Sequence, residues 1–203
     1  MYNILVWLVR VIFRPQIGIM EGRENLPKSP LPPLIFALNH LTPYDPILFV
    51  SLLFGWTRKK IFFLTQKEVA LIFAPFNKLL GMIPASQKGL ERAAKYLKEG
   101  HSIGIFVRAA RSFLDVRHTR KYSGAARLSQ KTGIPVVPVT VRGRSIYHYR
   151  LWVFFFQVIK SFFEKKDFFI HPILILKEET SAGRATNILL GIIEGSIQAV
   201  KEE

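Results

Sequence analysis

Short apolar runs alternate along this chain with longer stretches of helical periodicity, and that alternation restricts the fold more than any single motif does. Strand-like runs stand at Leu34 to Leu38, Ile61 to Leu64, Ile103 to Phe106, Val136 to Val141 and near Phe168 to Leu176. Helical stretches fall at Pro43 to about Phe54, Lys88 to Glu99, Gly124 to Lys131 and Ala182 to Val200. The run Leu34-Ile35-Phe36-Ala37-Leu38 is apolar throughout, as a buried strand is. Such strands alternating with helices predict an α/β domain, a mostly parallel sheet flanked by helices. The Val107 to Tyr122 connection reads as a long loop, exposed, basic and mobile. No internal repeat or low-complexity linker interrupts the chain.

Composition sets the surroundings of this domain. The 203 residues amount to one domain or slightly more, and 49% hydrophobic content is ample for a core. A formal charge of +15 with 13% aromatics demands an anionic partner. Basicity beside such high hydrophobicity favours a lipid surface, where apolar groups insert and Lys and Arg meet headgroups. A nucleic-acid partner is the weaker choice, because zinc-finger spacing and RNA-binding motifs are both absent from the sequence. No apolar run reaches the roughly 18 residues of a membrane-spanning helix.

A monotopic anchor fits better. Along Met1 to Arg14, Asn3, Trp7, Arg10 and Arg14 form one polar or interfacial stripe, and Ile4, Leu5, Leu8, Val9 and Ile12 form the other face. We therefore divide the chain into an interfacial helix over 1–20 and a main domain over 21–203, with the helix on the cytoplasmic face of a membrane. Arg10 splits the apolar stretch and no small-residue cleavage site follows, which argues against a secretory signal. A second apolar cluster, Leu151 to Phe156, is flanked by Arg150, Lys160, Lys165 and Lys166. Core packing and membrane insertion both suit it.

Chemistry is concentrated where the first strand ends. Asn39-His40 is followed, after four residues, by Asp45, so a base and a carboxylate to orient it lie close together. Thr42-Pro43-Tyr44-Asp45 also has the form of a helix start, with Thr42 as N-cap and Asp45 at the third helical position. Both readings of Asp45 stand at this point. Gly100-His101-Ser102-Ile103-Gly104 matches the nucleophile-elbow pattern, but a helical stretch precedes it and a strand follows, the reverse of an elbow. Gly100 is better explained as a helix stop. Cysteine is absent, so no acyl group is carried on a protein thiol.

Further segments occur in a telling order after the Asn39-His40 to Asp45 motif. They are Gly81-Met82-Ile83-Pro84, Phe106-Val107-Arg108-Ala109-Ala110-Arg111-Ser112, Gly124-Ala125-Ala126-Arg127 and Ile134-Pro135-Val136-Val137-Pro138-Val139. From about Glu21 to Val141 the chain resembles the glycerolipid acyltransferase family, which includes the bacterial lysophosphatidate acyltransferases. The resemblance implies acyl transfer from an acyl thioester, of coenzyme A or of acyl carrier protein, to the hydroxyl of a lysophospholipid. It implies His40 and Asp45 as the catalytic pair, with substrate contacts from Asn39, Thr42, Gln87, Arg108, Arg111 and Ser112.

Two departures from the family pattern bear on the acceptor. The third motif usually reads Phe-Pro-Glu-Gly-Thr-Arg-Ser, but only Phe106, Arg111 and Ser112 match; Arg108 stands where the acidic residue belongs, and Ala109 and Ala110 replace Gly and Thr. The second motif normally continues to an Asp-Arg pair, where this chain has Ser86-Gln87. Loss of glycine removes easy access to positive φ, and loss of threonine removes a hydroxyl. Arg108 and Arg111 together are able to clamp an anion; alternatively Arg108 faces solvent or lipid headgroups.

The expected mechanism needs no covalent intermediate and no metal or bound cofactor. His40, held by Asp45, takes the proton of a lysolipid hydroxyl as that oxygen attacks the thioester carbonyl. The expected partners are the anionic membrane surface, the acyl donor and the lysolipid acceptor, with no nucleic acid. The rival expectation is a lipid-binding homologue of impaired turnover, or an acyltransferase with an acceptor other than lysophosphatidate.

Overall fold

The structure is a computed structural model describing residues 7, 11–42, 45–53, 56, 60–72, 77, 81–112, 115–143, 163–177 and 179–199; the side chains of 68, 69, 72, 108–112, 115–121 and 196–199 lie outside that description. Eight strands form one sheet: β1 (Ile17–Glu21), β2 (Ile35–Asn39), β3 (Ile61–Thr65), β4 (Met82–Pro84), β5 (Ser102–Ser112), β6 (Asp115–Lys121), β7 (Val136–Arg142) and β8 (Lys166–Ile170). Among the described residues the α-helices with full bounds are α1 (Asp45–Leu52), α2 (Lys67–Ile72), α3 (Gln87–Lys98), α4 (Gly124–Thr132) and α5 (Ala182–Ala199).

The strand order is β1-β8-β7-β2-β5-β3-β4, with β6 paired to β5. From β7 to β4 every neighbour is parallel, as strand-helix alternation requires. β8 is antiparallel to β7 and therefore begins at the edge where β2 and β7 end, Arg142 pairing with Asp167.

β2 is central, and all five of its residues are buried. Ile35 and Ala37 point into the layer built by α3, α4 and α5. Phe36 and Leu38 point into the opposite layer, where α1 contributes Leu48 and Phe49 against Phe63 and Phe168. Phe49 meets Phe36 edge-on at 5.0 Å between ring centroids. Each face of β2 thus needs apolar residues at every position, which is why its sequence does not alternate.

The structure changes several sequence expectations. The Val107 to Tyr122 connection is not a loop: β5 continues to Ser112 and returns as β6, antiparallel, with Arg108 opposite Lys121 and Ser112 opposite Asp115. Cross-strand backbone bonding holds this hairpin where the apolar pattern gives no strand signal. The strand expected near Phe168 to Leu176 is shorter and earlier, Lys166–Ile170, with Leu174 making only an isolated bridge to Val136. β1, β4 and α2 were not anticipated at all.

Gly100 ends the α3 turn at φ +85°, a left-handed conformation that a glycine adopts without strain. Ser102 then opens β5, buried, its Oγ accepting the Leu34 amide at 3.2 Å. That is a structural role and the wrong context for a nucleophile. The expected N-terminal helix lies mostly outside the described residues; Trp7 and 11–13 are helical, and Trp7, Val11 and Ile12 are exposed. The Leu151 to Phe156 cluster lies outside them entirely. Among the described residues no helix is long and apolar enough to cross a membrane.

Candidate active site

Asp45 begins α1 only a few residues after β2 ends, so the chain must turn sharply between them. The Asp45 carboxylate organises that turn. Its Oδ2 accepts the Leu41 amide at 2.6 Å and the Thr42 amide at 2.8 Å, and its Oδ1 accepts the Thr42 hydroxyl. The Asp45 amide in turn donates to the Thr42 carbonyl at 3.1 Å. A fully buried carboxylate is tolerable only when its lone pairs are satisfied in this way, and the helix N-terminus adds favourable dipole.

The same Oδ2 receives His40. The imidazole Nδ1 donates to it at 3.0 Å, which makes Nε2 the ring's accepting nitrogen, the form a general base requires. The His40 side chain is 17% exposed while Asp45 is wholly enclosed, so the imidazole reaches the surface and the carboxylate does not. The Phe106 ring stacks on the imidazole, centroids 4.1 Å apart and planes 30° apart. Phe106 in turn stacks on Phe63 at 5.9 Å. His40 is therefore held at Nδ1 by a carboxylate and along one face by an aromatic column. Asp45 thus bonds both the turn at the start of α1, where it is the first helical residue rather than the third, and the imidazole, a contact of the geometry that the orienter reading requires.

Asn39 and Thr42 have local partners. The Asn39 side-chain amide donates to the Val141 carbonyl at 2.9 Å, and its oxygen accepts the Val141 amide at 2.7 Å. This two-point bridge stitches the end of β2 to β7 and sets the height from which the chain departs toward His40. Thr42 is wholly buried with its hydroxyl on Asp45.

The remaining expected substrate residues divide between two places. Arg108 is brought to the site by register: its backbone pairs with Asn39 across a bulge in β5 that interrupts the pairing after Leu38 and Phe106. Bulges at a strand end re-aim the chain beside active sites. Arg111 and Ser112 follow on the outer part of β5, Ser112 closing the hairpin opposite Asp115. Gln87 starts α3 and lines a cavity of about 160 Å³ with Leu90, Arg127, Leu128 and Lys131. That cavity lies in the layer of α3 and α4, across the sheet from α1.

The sequence offers Phe106 only as a remnant of the third motif, although it is the ring that stacks on His40. An aromatic at the end of a strand adjoining the His40 strand was the available signal. Among the described residues no cluster of three or more His, Asp or Glu side chains is arranged to hold a metal ion.

The family model described as Acyltransferase matches residues 19–142. The 1-acyl-sn-glycerol-3-phosphate acyltransferase of Borreliella burgdorferi is 30% identical over 135 residues, covering 61% of this chain and 50% of that protein. A chloroplastic 1-acyl-sn-glycerol-3-phosphate acyltransferase of Arabidopsis thaliana is 34% identical over 133 residues, covering 61% and 35% respectively. The chain thus spans half or less of the length of these curated relatives. Its fold matches the crystal structure of the 1-acyl-sn-glycerophosphate acyltransferase from Thermotoga maritima with a TM-score of 0.68 at 19% identity, covering 100% of this chain and 82% of that one.

Proposed function

This chain belongs to the acyltransferase family, whose model spans residues 19–142, and we propose that it moves a fatty acyl group from an acyl thioester to the free hydroxyl of a lysophospholipid such as lysophosphatidate. The observation that carries the proposal is the His40–Asp45 contact of 3.0 Å at the edge where β2 ends. Nε2 of His40 accepts the proton of the acceptor hydroxyl while that oxygen attacks the thioester carbonyl. The thiolate then leaves and takes up a proton, so the acyl group passes directly from sulfur to oxygen. Asp45 fixes the tautomer and stabilises the imidazolium as it forms.

A second reading concerns the acceptor alone. Arg108, Ala109 and Ala110 lie within a continuous strand, β5, and this favours an acceptor other than lysophosphatidate, because the family's Glu-Gly-Thr headgroup contacts have no counterpart in this sequence. Incubating the purified protein with a labelled acyl thioester, of coenzyme A or of carrier protein, and a panel of lysolipids separates the two. Labelled product from lysophosphatidate supports the first reading, and product from another lysolipid supports the second. No transfer to any acceptor from either donor would end both.

The protein works, in this proposal, from the cytoplasmic surface of an anionic membrane. Trp7, Val11 and Ile12 stand 54%, 56% and 57% exposed on a chain of formal charge +15, the combination that inserts apolar groups while cations meet headgroups. Deleting residues through Arg14 is expected to weaken flotation with anionic vesicles several-fold. Added salt weakens the intact protein only in part, since screening leaves the apolar contribution untouched. Equal flotation of the two proteins would remove this segment as the anchor.

A further inference from the structure

Lys166 is a lysine with no exposed surface, a placement that charged side chains tolerate only beside compensating charge. It opens β8 on the same face as Phe168 and Ile170, the face covered by α1, where Phe168 lies 6.3 Å from Phe49. Because β8 enters at the edge where β2 and β7 finish, the lysine arrives at the edge that carries His40 and Asp45. It stands two strands from β2, roughly 10 Å across the sheet, a gap its flexible four-carbon stem narrows.

Gly143, just past β7, gives the stem its room. A Cβ at Gly143 would lie 2.6 Å from Lys166 Cδ and 3.0 Å from Nζ, and the glycine's φ of +144° disfavours any side chain there. Burial pushes the Lys166 ammonium below its ordinary proton affinity, while the Asp45 carboxylate, and after it Glu164, push it back up. Arg142 on β7 is directed onto the Phe169 ring at 3.8 Å, and the register partner on β1 is the apolar Ile17. His40 itself faces Asp45 from α1 and the Phe106 ring from β5.

We infer that Lys166 is a positioning residue for the base, a buried counter-charge to Asp45 that limits how strongly the dyad holds a proton on His40. The inference rests on the reading of His40 as general base. A carboxylate alone favours the imidazolium, and an imidazolium has no lone pair with which to take the acceptor's proton. A cation that interacts with the carboxylate opposes that effect. Lys166 does this through Asp45 and touches no substrate.

The test compares the full-length protein with Lys166→Met, which removes the charge but keeps the length, and Lys166→Arg, which keeps the charge. Removing one member of a buried charge pair costs stability, so Lys166→Met is assayed below its unfolding temperature, and Lys166→Gln takes its place should it not fold. The acidic limb of its pH profile for kcat/KM should move up by about one unit, an approximately tenfold loss on the acid side relative to the alkaline plateau. Lys166→Arg should return the limb toward the wild-type position. The His40 imidazole resonance, assigned by its absence in His40→Ala, should move its NMR titration midpoint in the same direction in protein without substrate. A shifted resonance without acyl transfer to any acceptor would uphold the coupling and defeat the proposed reaction. An NMR midpoint common to all three proteins would overturn the role of Lys166.

Discussion

Replacing His40 by alanine is expected to lower acyl transfer by about 10²–10⁴-fold while leaving the fold in place. The rate effect follows from geometry: Nδ1 is committed to Asp45, Nε2 is the basic nitrogen, and the partly exposed ring stands at the end of β2 where an acceptor can approach. The fold survives because the substitution gives up stacking on Phe106 and one bond to a carboxylate that keeps three other donors. Turnover with the acceptor found in the lysolipid panel, beside a thermal unfolding curve, is the required measurement. A folded His40→Ala protein with unchanged turnover would sink the mechanism.

Asp45→Ala should be the more damaging change, because it removes the hub of a turn as well as the orienter of a base. Truncation strands the Leu41 amide, the Thr42 amide and the Thr42 hydroxyl, all of which now bond to the carboxylate, and withdraws a nearby negative charge from the buried Lys166. Breaking such a buried network costs on the order of 3–5 kcal/mol, a large part of a domain's stability. Asp45→Asn separates the two duties. The amide keeps the volume and an accepting oxygen for the turn, but it cannot stabilise an imidazolium, so activity should still fall by about 10²–10⁴-fold with a smaller loss of stability. Chemical denaturation of both variants reads the first effect and turnover reads the second. Wild-type stability in Asp45→Ala would show that the carboxylate does not hold the turn.

The parts of this fold legible in the sequence are those whose burial dictates residue type. β2, β3, β7 and the inner half of β5 lie between two layers, so each is an apolar run bounded by turns. α3 is legible for a related reason: its apolar positions recur on one face, and Ser86 caps it by accepting the Gly89 amide at 2.9 Å. What escaped is held by backbone pairing at the margins. β4 has only three residues, too few for any period, and β6 reads Asp-Val-Arg-His-Thr-Arg-Lys, a strand by virtue of its partner.

The site follows the same division. The His40–Asp45 pair was legible because both residues lie in one short stretch. The tie between Asn39 and Val141 was not, since it spans residues far apart in the chain that only the sheet brings together. Lys166 left a faint trace: Lys166, Phe168 and Ile170 recur every second residue, which sets the lysine on an apolar face. In the sequence it reads instead as one of the bases that flank the Leu151 to Phe156 cluster.

The neighbouring strands β2 and β5 meet at the site, but they come from distant parts of the sequence. The base, its carboxylate and the donors that hold them fall within 39–45, whereas Phe106 and Arg108 arrive on β5 only after β3, α2, β4 and α3 have intervened. On the proposed function, reactivity and selectivity are therefore separately heritable in descent: a lineage that rewrites 108–112 changes what is presented to His40 without touching 39–45, and a segment exchanged between two homologues over 108–112 carries acceptor preference with it and leaves the proton-transfer pair behind.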